Sequence, residues 1–405
     1  MRTLFVTWDG PGLAYLESLF LPIFAGLQAA GYQFDVLQFR WGDAGEREKI
    51  ARACRELGIG YKAVGVWRGL GPVGPLLSAM AGGLHVRRAV RHFRSDAIMP
   101  RSVLPSLAVL AGRASRLRPI ILDADGLELD ERVEFAGLSD RGLAYRLLRD
   151  VEAQMVRVAS SVLVRTPSAR EVLLARAGPG VAAEDIHVVT NGRDERLFHP
   201  FDPRGRAETR AGLGIGDDAP LIVYAGSVGY RYNTPRIGDF ALAALKLRPD
   251  TRLLVLSGSP ESASAELLQG RTELAQITTI MRAAPSEVAR YLAAADVGTA
   301  FVRPSFSTRG VAPVKIGEYL LCGLPVIGAA AVGNNAPLVE RGVFFDDGAG
   351  QSDLQAAAQW FVAEVLPRRE AFRAKARGAG VEHLSLERSV ADYACVLAAC
   401  SGASS

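Results

Sequence analysis

Short apolar runs that alternate regularly with longer amphipathic stretches are the feature that most constrains this fold. Thirteen runs of three to five residues indicate buried strands, and segments with helical spacing separate most of them. Apolar strands joined by helices are typical of a parallel sheet that is covered on both faces. The runs form two series, from residue 4 to 189 and from residue 221 to 345. We therefore predict an α/β protein with two doubly wound, Rossmann-like domains.

The length of 405 residues also exceeds what one hydrophobic core usually supports. A stretch rich in proline and glycine lies between Phe198 and Pro220 and has the composition of a linker. We assign residues 1–198 to an N-terminal domain, 199–219 to an interdomain linker, 220–383 to a C-terminal domain and 384–405 to a C-terminal helix.

The cysteine content and the N-terminal segment predict a cytoplasmic location. The four cysteines have no CxxC spacing and no zinc-like neighbours, which fits a reducing compartment. Asp9 interrupts the first apolar run, so we expect a strand there and not a signal peptide. Residues 13–30 are apolar, but Glu17, Pro22 and Gln28 interrupt them, and a buried helix is expected.

Residues that follow the strands are the candidates for chemistry, because open α/β sheets bind ligands beyond the carboxyl ends of their strands. The first run leads into Asp9-Gly10-Pro11-Gly12, which is typical either of a backbone that approaches an anion or of a tight turn. The run that ends at Tyr224 leads into a second glycine-bearing turn. Its Arg231 is either a phosphate-binding cation or an exposed loop residue.

The segment PVKIGEYLLCGLPVI predicts a helix that begins at Pro313, ends near Gly323 and leads into a buried strand ending at Ile327. Lys315 and Glu318 are three residues apart, so they project together from the helix start. This pair is suited to bind an anion and a hydroxyl at the end of a strand-to-helix loop. An ordinary surface ion pair is the alternative.

A possible metal site is the triplet from Asp123 to Asp125, because two carboxylates can hold a divalent ion that carries a diphosphate. An Asx turn is more typical of this pattern when glycine follows. No second carboxylate cluster completes a metal site in the sequence, and no Ser/His/Asp, Walker or zinc signature is present.

The stretch from Lys62 to Arg118 contains ten basic residues and one acidic residue, Asp96. This bias predicts an anionic membrane surface as a partner, with solvated helix faces as the alternative. Aromatic residues are not interleaved with the basic ones, so we expect no nucleic acid partner.

Four stretches share the pattern of one known family: GPG at 10–12, NGRDERLF at 191–198, YAGSVG at 224–229 and SFSTRGVAPVKIGEYLLCGLPVI at 305–327. Together they resemble a GT-B glycosyltransferase of the large retaining family-four group, which includes many bacterial surface-polysaccharide transferases. The resemblance covers essentially the whole chain. It implies two Rossmann-like domains that face each other across a cleft, with the donor on the C-terminal domain and the acceptor on the N-terminal domain.

The resemblance also implies roles for individual residues. Glu318 would bind the donor ribose, and Arg231 and Lys315 would be the catalytic cations that stabilise the leaving phosphate. The expected donor-binding residues are Gly12, Gly226, Ser227, Arg231, Pro313, Lys315 and Glu318. The expected acceptor-binding residues are Asp9, Gly10, Arg101 and Asp125. No metal and no other cofactor is expected.

Three positions depart from the family pattern. Gly310 stands where the first glutamate of the paired-glutamate motif usually grips the transferred sugar, so backbone N–H groups of residues 308–312 are the expected substitutes. Ser227 stands where arginine is frequent, and Asp125 replaces the arginine of an Asp-x-Arg-Gly loop. The identities of the sugar and of the acceptor therefore stay open.

The implied activity is retaining transfer from a nucleotide-diphosphate sugar, with UDP favoured, to a glycan or lipid-linked acceptor in envelope polysaccharide synthesis. The location would be cytoplasmic, or peripheral on the inner face of the membrane. One alternative is a non-catalytic nucleotide-sugar-binding subunit, because Gly310 replaces a glutamate. Another is a sugar-nucleotide epimerase, although the chain shows few acid or base side chains for that chemistry.

Overall fold

The computed structural model describes residues 1–12, 14–69, 71, 73–348 and 354–402. The chain forms two units, of which the first contains Met1–Thr190 together with the residues from Ser389 onward, and the second contains Asn191–Arg388. The first unit thus ends eight residues before the boundary assigned from the sequence. Of the helices expected at 13–30 and 384–405, residues 13 and 403–405 lie outside the described part of the chain.

A seven-stranded parallel arrangement forms the centre of the first unit. Its strands are β1 (Arg2–Asp9), β2 (Gln33–Arg40), β3 (Gly60–Gly65), β4 (Ala97–Pro100), β5 (Ile121–Asp125), β6 (Ser161–Val164) and β7 (Ile186–Val188). Their order is β3-β2-β1-β4 in one ladder and β5-β6-β7 in another. Parallel bridges from Ile98 to Ile120 and from Arg101 to Asp123 connect β4 to β5. The carboxyl ends of all seven strands therefore point to the same edge.

Helices follow these strands along the chain. They are α1 (Leu21–Gln28), α2 (Ala44–Glu56), α3 (Val73–Phe93), α4 (Val103–Ala111), α5 (Glu128–Ala136), α6 (Leu143–Val158) and α7 (Pro167–Ala177). A π-helical turn, Leu16–Phe20, precedes α1, and its buried side chains confirm the helix expected at 13–30. None of the helices in the described ranges combines the length and hydropathy that crossing a bilayer requires.

The second unit contains one six-stranded parallel sheet with the order β10-β9-β8-β11-β12-β13. The strands are β8 (Leu221–Ala225), β9 (Arg252–Leu256), β10 (Thr278–Met281), β11 (Val297–Ala300), β12 (Val326–Gly328) and β13 (Phe344–Asp346). The helices are α8 (Pro203–Gly212), α9 (Thr234–Leu247), α10 (Pro260–Leu268), α11 (Thr272–Ile277), α12 (Pro285–Ala294), α13 (Val314–Leu321), α14 (Ala336–Glu340), α15 (Leu354–Gln359) and α16 (Arg369–Leu384). Helix α17 (Leu386–Gly402) begins in this unit and continues into the first.

Each of the thirteen predicted runs forms a strand, within a few residues of the expected bounds. One boundary was wrong, because β5 continues through Asp123 and Asp125, which were expected to follow the strand. The range 199–219 contains α8, whose first turn is stabilised by the Asp202 carboxylate accepting from Gly205 N at 2.7 Å. Asp202 and Pro203 are a typical N-cap and first helical residue, so that helix start has a local sequence signal.

Candidate functional site

The loop after β8 brings a glycine against a lysine from α13. Gly226 has a φ of +139°, and a Cβ atom built on it would lie 2.8 Å from Lys315 Nζ. Any side chain at position 226 would therefore strain the backbone and displace the ammonium group. The structure thus places together two residues that were predicted to bind the donor.

Lys315 is a buried cation that lies among aromatic rings. Its Nζ lies 4.0 Å from the ring centroid of Tyr224 and 5.3 Å from that of Tyr232. The residue is only 9% exposed, and Nζ has no hydrogen-bond partner among the described residues. Burial lowers the pKa of Lys315 to about 7, although the charge of Glu318 opposes this shift and that of Arg231 adds to it. An ammonium group held in this way can accept an anionic ligand without first breaking a protein hydrogen bond.

Arg231 lies in the 3-10 turn Tyr230–Tyr232 of the same loop and is half-buried. Its guanidinium carbon lies 5.7 Å from the ring centroid of Tyr232, one of the two rings beside Lys315. Ser227 is exposed, and its carbonyl oxygen accepts a hydrogen bond from the Tyr224 hydroxyl. The loop therefore presents a serine and an arginine beside the buried lysine.

Glu318 pairs with Arg193 and not with Lys315, which corrects the surface ion pair considered from the sequence. Arg193 Nη2 lies 2.9 Å from Glu318 Oε1, and both side chains are largely buried. Burial raises the pKa of Glu318, and the charges of Arg193 and Lys315 act in the opposite direction. Sequence reasoning missed Arg193 because it is distant in sequence and its own segment, NGRDERLF, carries no local sign of this contact.

The start of α13 is close to the sequence-based expectation. Pro313 is the N-cap, the helix runs from Val314 to Leu321, and Gly323 follows with a φ of +80°. In the loop before this helix, some backbone N–H groups already have hydrogen-bond partners. Thr308 N donates to Ser305 Oγ, and Val311 N donates to Thr308 O. Two of the N–H groups that were expected to bind the sugar are therefore already engaged within the loop.

The predicted acceptor residues at the end of β1 are enclosed by neighbouring side chains. Asp9 is buried, and its Oδ2 accepts from Gln38 Nε2 at 2.8 Å and from Thr7 Oγ1 at 3.1 Å. Gly10 lies under Trp41, since a Cβ on Gly10 would lie 2.8 Å from the indole. Gly12 is in an exposed turn with a φ of +74°.

Arg101 and Asp125 do come together, at the ends of β4 and β5. Arg101 Nη2 donates to Asp125 Oδ2 at 2.7 Å, and the Asp125 side chain is 38% exposed. Behind them, Arg165 donates to both oxygens of Asp123, at 2.7 and 2.8 Å, and to the Tyr393 hydroxyl of α17 at 3.1 Å. Burial alone would lower the pKa of Arg165, but the facing negative charges raise it.

The Asp123 carboxylate is therefore paired with the Arg165 guanidinium. Asp125 N donates to Asp123 Oδ1 at 3.1 Å, in agreement with the Asx-type turn that the sequence favoured. Among the described residues, no group of three or more His, Cys, Asp or Glu side chains is arranged to hold a metal ion. Sequence reasoning missed Arg165 and Tyr393, because contacts over such separations have no local signal.

Two family models match the chain. One, described as a glycosyl transferase 4-like domain, matches residues 19–192, and the other, described as glycosyl transferases group 1, matches residues 219–364. The two matched ranges together span most of the sequence.

Curated relatives match over shorter ranges. Alpha-maltose-1-phosphate synthase of Mycolicibacterium smegmatis is 26% identical over 211 residues, which are 50% of this chain and 51% of that protein. D-inositol 3-phosphate glycosyltransferase 1 of Catenulispora acidiphila is 34% identical over 208 residues, which are 47% and 46% of the two proteins. The chain thus spans about half the length of the curated relatives it matches.

A solved structure matches over almost the whole chain. Anabaena HepE in complex with UDP has a TM-score of 0.72 at 18% identity, covering 98% of this chain and 100% of that chain. At this identity the likeness establishes the fold, and it confirms the predicted GT-B class. The two parallel-sheet units, the two matched family models and the similarity to HepE all point to the same family. The chain belongs to the family-four group of GT-B glycosyltransferases.

Proposed function

We propose that this glycosyltransferase moves a sugar from a UDP-sugar to a glycan or lipid-linked acceptor, with retention of configuration and without a metal. The observation that carries the proposal is the unpartnered, buried ammonium group of Lys315 beside Gly226. UDP is the preferred nucleotide because HepE, which shares the fold, was solved with UDP.

The donor diphosphate would lie against the loop after β8. Lys315 Nζ and the Arg231 guanidinium supply positive charge there, and the absence of a side chain at Gly226 lets the phosphate approach. Glu318, oriented by Arg193, would accept hydrogen bonds from the ribose hydroxyls. The same two cations would stabilise the charge that develops as the bond between the anomeric carbon and the phosphate oxygen breaks.

Retention requires no protein nucleophile in this proposal. The acceptor hydroxyl attacks the anomeric carbon from the face that the diphosphate leaves, and a phosphate oxygen takes the hydroxyl proton. One C–O bond forms, one breaks, and the proton ends on the released UDP. The partly exposed Asp125 carboxylate, held by Arg101, would orient the acceptor through its hydroxyl groups.

Thermal unfolding with UDP-, GDP-, dTDP- and ADP-sugars tests the donor site. The wild type should be stabilised by UDP-sugars, and Lys315→Met and Glu318→Ala should lose most of that stabilisation. Lys246→Met is the matched control, because Lys246 is an exposed lysine of the same unit. Stabilisation by another nucleotide class, or by UDP in the Lys315→Met variant, would refute this donor assignment.

Product analysis tests the reaction itself. A new glycoside with the anomeric configuration of the donor supports retaining transfer, and an inverted product contradicts it. A sugar-nucleotide isomer would show an epimerase, and donor binding without turnover on any acceptor would show a binding subunit.

A further inference from the structure

Four arginines gather around one carboxylate at the amino-terminal edge of the second sheet. The carboxylate is that of Asp296, which is buried just before β11. The arginines come from α8 and from the first two turns of α16, and we call them the arginine cluster: Arg206, Arg210, Arg369 and Arg373. Two of them approach the same carboxylate oxygen, since Arg206 Nη2 and Arg369 Nε each lie 2.8 Å from Asp296 Oδ1. Four positive charges thus share one buried negative charge.

The two inner arginines of the cluster are already bound to backbone carbonyl groups. Arg210 donates to Ala294 O at 2.9 Å, and Arg373 donates to Ala295 O at 2.7 Å, both at the end of α12. The two arginines are 0 and 6% exposed. A helix end carries the equivalent of only about half a negative charge, so these carbonyl groups compensate the two arginines in part.

The excess of positive charge affects the pKa of the inner arginines. Burial lowers the pKa of Arg210 to about 10, although the charge of Asp296 opposes this shift. The charges of Arg206 and Arg369 lower the pKa further. Arg210 is therefore protonated at neutral pH but is repelled by its neighbours. Two exposed acidic side chains also act on the cluster, where water screens their charge: Asp217 and Glu370.

The two outer arginines of the cluster reach the surface. The side chains of Arg206 and Arg369 are 13 and 22% exposed. The Nε groups of Arg206 and Arg373 are buried and have no hydrogen-bond partner among the described residues. An oxyanion beside Arg206 and Arg369 would meet two guanidinium groups, which suit phosphate oxygens, and would supply the missing negative charge.

We propose that the arginine cluster binds a phosphate dianion, either free phosphate or the terminal group of a small phosphate ester. Arg206 and Arg369 contact the phosphate oxygens, and the two inner arginines supply positive potential behind them. This site is separate from the proposed donor site. The cluster lies where β8 and β11 begin, whereas Gly226 and Lys315 lie beyond the carboxyl end of β8.

Helix α16 connects the phosphate site to the helix that carries Lys315. Arg369 and Arg373 belong to the start of α16, and Gly380 near its end packs on α13. A Cβ built on Gly380 would lie 2.9 Å from Leu321 N, so the two helices are in close contact there. A phosphate bound to the arginine cluster would therefore stabilise the helix on which α13 packs.

Calorimetric titration of the full chain at neutral pH and constant ionic strength tests the proposal, with inorganic phosphate and glycerol 3-phosphate as separate probes. The wild type should show saturable binding, and the probe that binds more tightly tells whether the site takes the free ion or an ester. Arg369→Gln and Arg206→Gln should each weaken binding by about tenfold or more, because each removes charged hydrogen bonds. Arg369→Lys keeps the charge and should bind more tightly than Arg369→Gln.

Arg368→Gln is the matched control. Arg368 is adjacent to Arg369 in the chain, but its side chain is largely exposed and pairs with Glu364 at the surface, so this variant should bind phosphate as the wild type does. Thermal unfolding in phosphate-free buffer checks that each variant is folded.

The variant Lys315→Met distinguishes this site from the donor site. Phosphate binding should persist in Lys315→Met, whereas stabilisation by UDP-sugars should be lost. The proposal is overturned if the wild type binds neither probe, if Arg368→Gln weakens binding as much as Arg369→Gln, or if only Lys315→Met abolishes it.

Discussion

At the scale of single residues, the buried charge of Lys315 makes the proposed donor site sensitive to pH. Without a bound ligand, the Lys315 amine has a pKa of about 7, because burial disfavours its charged form. A diphosphate needs the ammonium form, so binding above pH 7 must include the uptake of a proton. We expect the affinity for UDP-glucose to fall by up to about tenfold per pH unit between 7 and 9. Calorimetric titration across this range measures the change.

The conservative variant Lys315→Arg tests whether protonation of residue 315 causes the pH dependence of donor affinity. Arginine stays protonated throughout this range, so its affinity profile should be flat even if binding is weaker overall. A wild-type profile as flat as that of the variant would show that Lys315 is not the group that meets the diphosphate.

Arg193 is expected to act through Glu318. Arg193→Met would leave a buried carboxylate without its ion pair, and the pKa of Glu318 would rise further. We expect UDP affinity to fall by roughly tenfold or more, while affinity for inorganic pyrophosphate, which has no ribose, stays the same. Parallel titrations with the two ligands measure this, and Arg193→Lys should restore part of the UDP affinity. An equal loss of affinity for UDP and for pyrophosphate would mean that Arg193 contributes to phosphate binding.

Sequence identified the residues near the helix start but not their partners. Lys315 and Glu318 were found from the spacing of one motif, because residues three apart share a helix face. That spacing left a mutual ion pair open as the alternative, whereas the structure turns Lys315 toward Gly226 and Glu318 toward Arg193. The difference arises from segments that meet only in the folded unit.

At the scale of helices and strands, one aspartate joins several elements of the second unit. The buried Asp296, just before β11, accepts from Arg206 Nη2 and lies 2.8 Å from Arg369 Nε. Its other oxygen accepts from Leu221 N of β8 at 2.8 Å. Arg210 and Arg373 are close by and donate to carbonyl groups at the end of α12. Helices α8 and α16 therefore place four arginines around one buried carboxylate, and two of these arginines also donate to the end of α12.

Asp296→Asn should destabilise the second unit strongly. The variant keeps the shape of the side chain but removes the buried carboxylate that the four buried or half-buried arginines share, at a cost of about 3–5 kcal/mol. Urea unfolding measures the loss. Asp250→Asn is the matched control, since Asp250 pairs with Arg248 at the surface and should cost less than about 1 kcal/mol. Equal losses in the two variants would contradict the arrangement around Asp296.

The elements themselves were predicted well, because each has a local signal. Short apolar runs mark strands, and this pattern found all of β1 to β13, including the edge strands β3 and β10, which are not fully buried. The end of β5 was missed, because Asp123 and Asp125 look like turn residues until Arg165 and Arg101 pair with them. Long-range charge pairing overrode a local preference at that point.

At the scale of the whole molecule, two separate cores predict two unfolding transitions. Scanning calorimetry should resolve them, and saturating UDP should raise only the transition of the second unit. At a ligand concentration of 100 times Kd the gain is about 2.7 kcal/mol, which corresponds to about 5–10 °C for a unit of this size. Asp296→Asn should lower the same transition. Tyr393→Phe, which removes a partner of Arg165, should lower the other. A single transition that moves as one with UDP would contradict this division.

The division into units was only partly visible in the sequence. Proline and glycine marked the region after Phe198, but the first unit ends at Thr190. From Ser389 onward, α17 packs in the first unit, where Ser389 Oγ donates to Thr190 O at 2.6 Å. The packing of α17 in the first unit depends on contacts between segments that are far apart in the sequence. Hydrophobic periodicity carries no information about such contacts.

The return of α17 has a consequence for synthesis. A ribosome delivers the last helix of the first unit only after all of the second unit, about 10–40 s after Thr190 at ordinary elongation rates. Until then Arg165 lacks Tyr393, and the surface at Gly26 lacks Val390, which packs directly against it. The domain that is translated first is therefore completed last, and chaperones that bind nascent chains would meet its open edge during that interval.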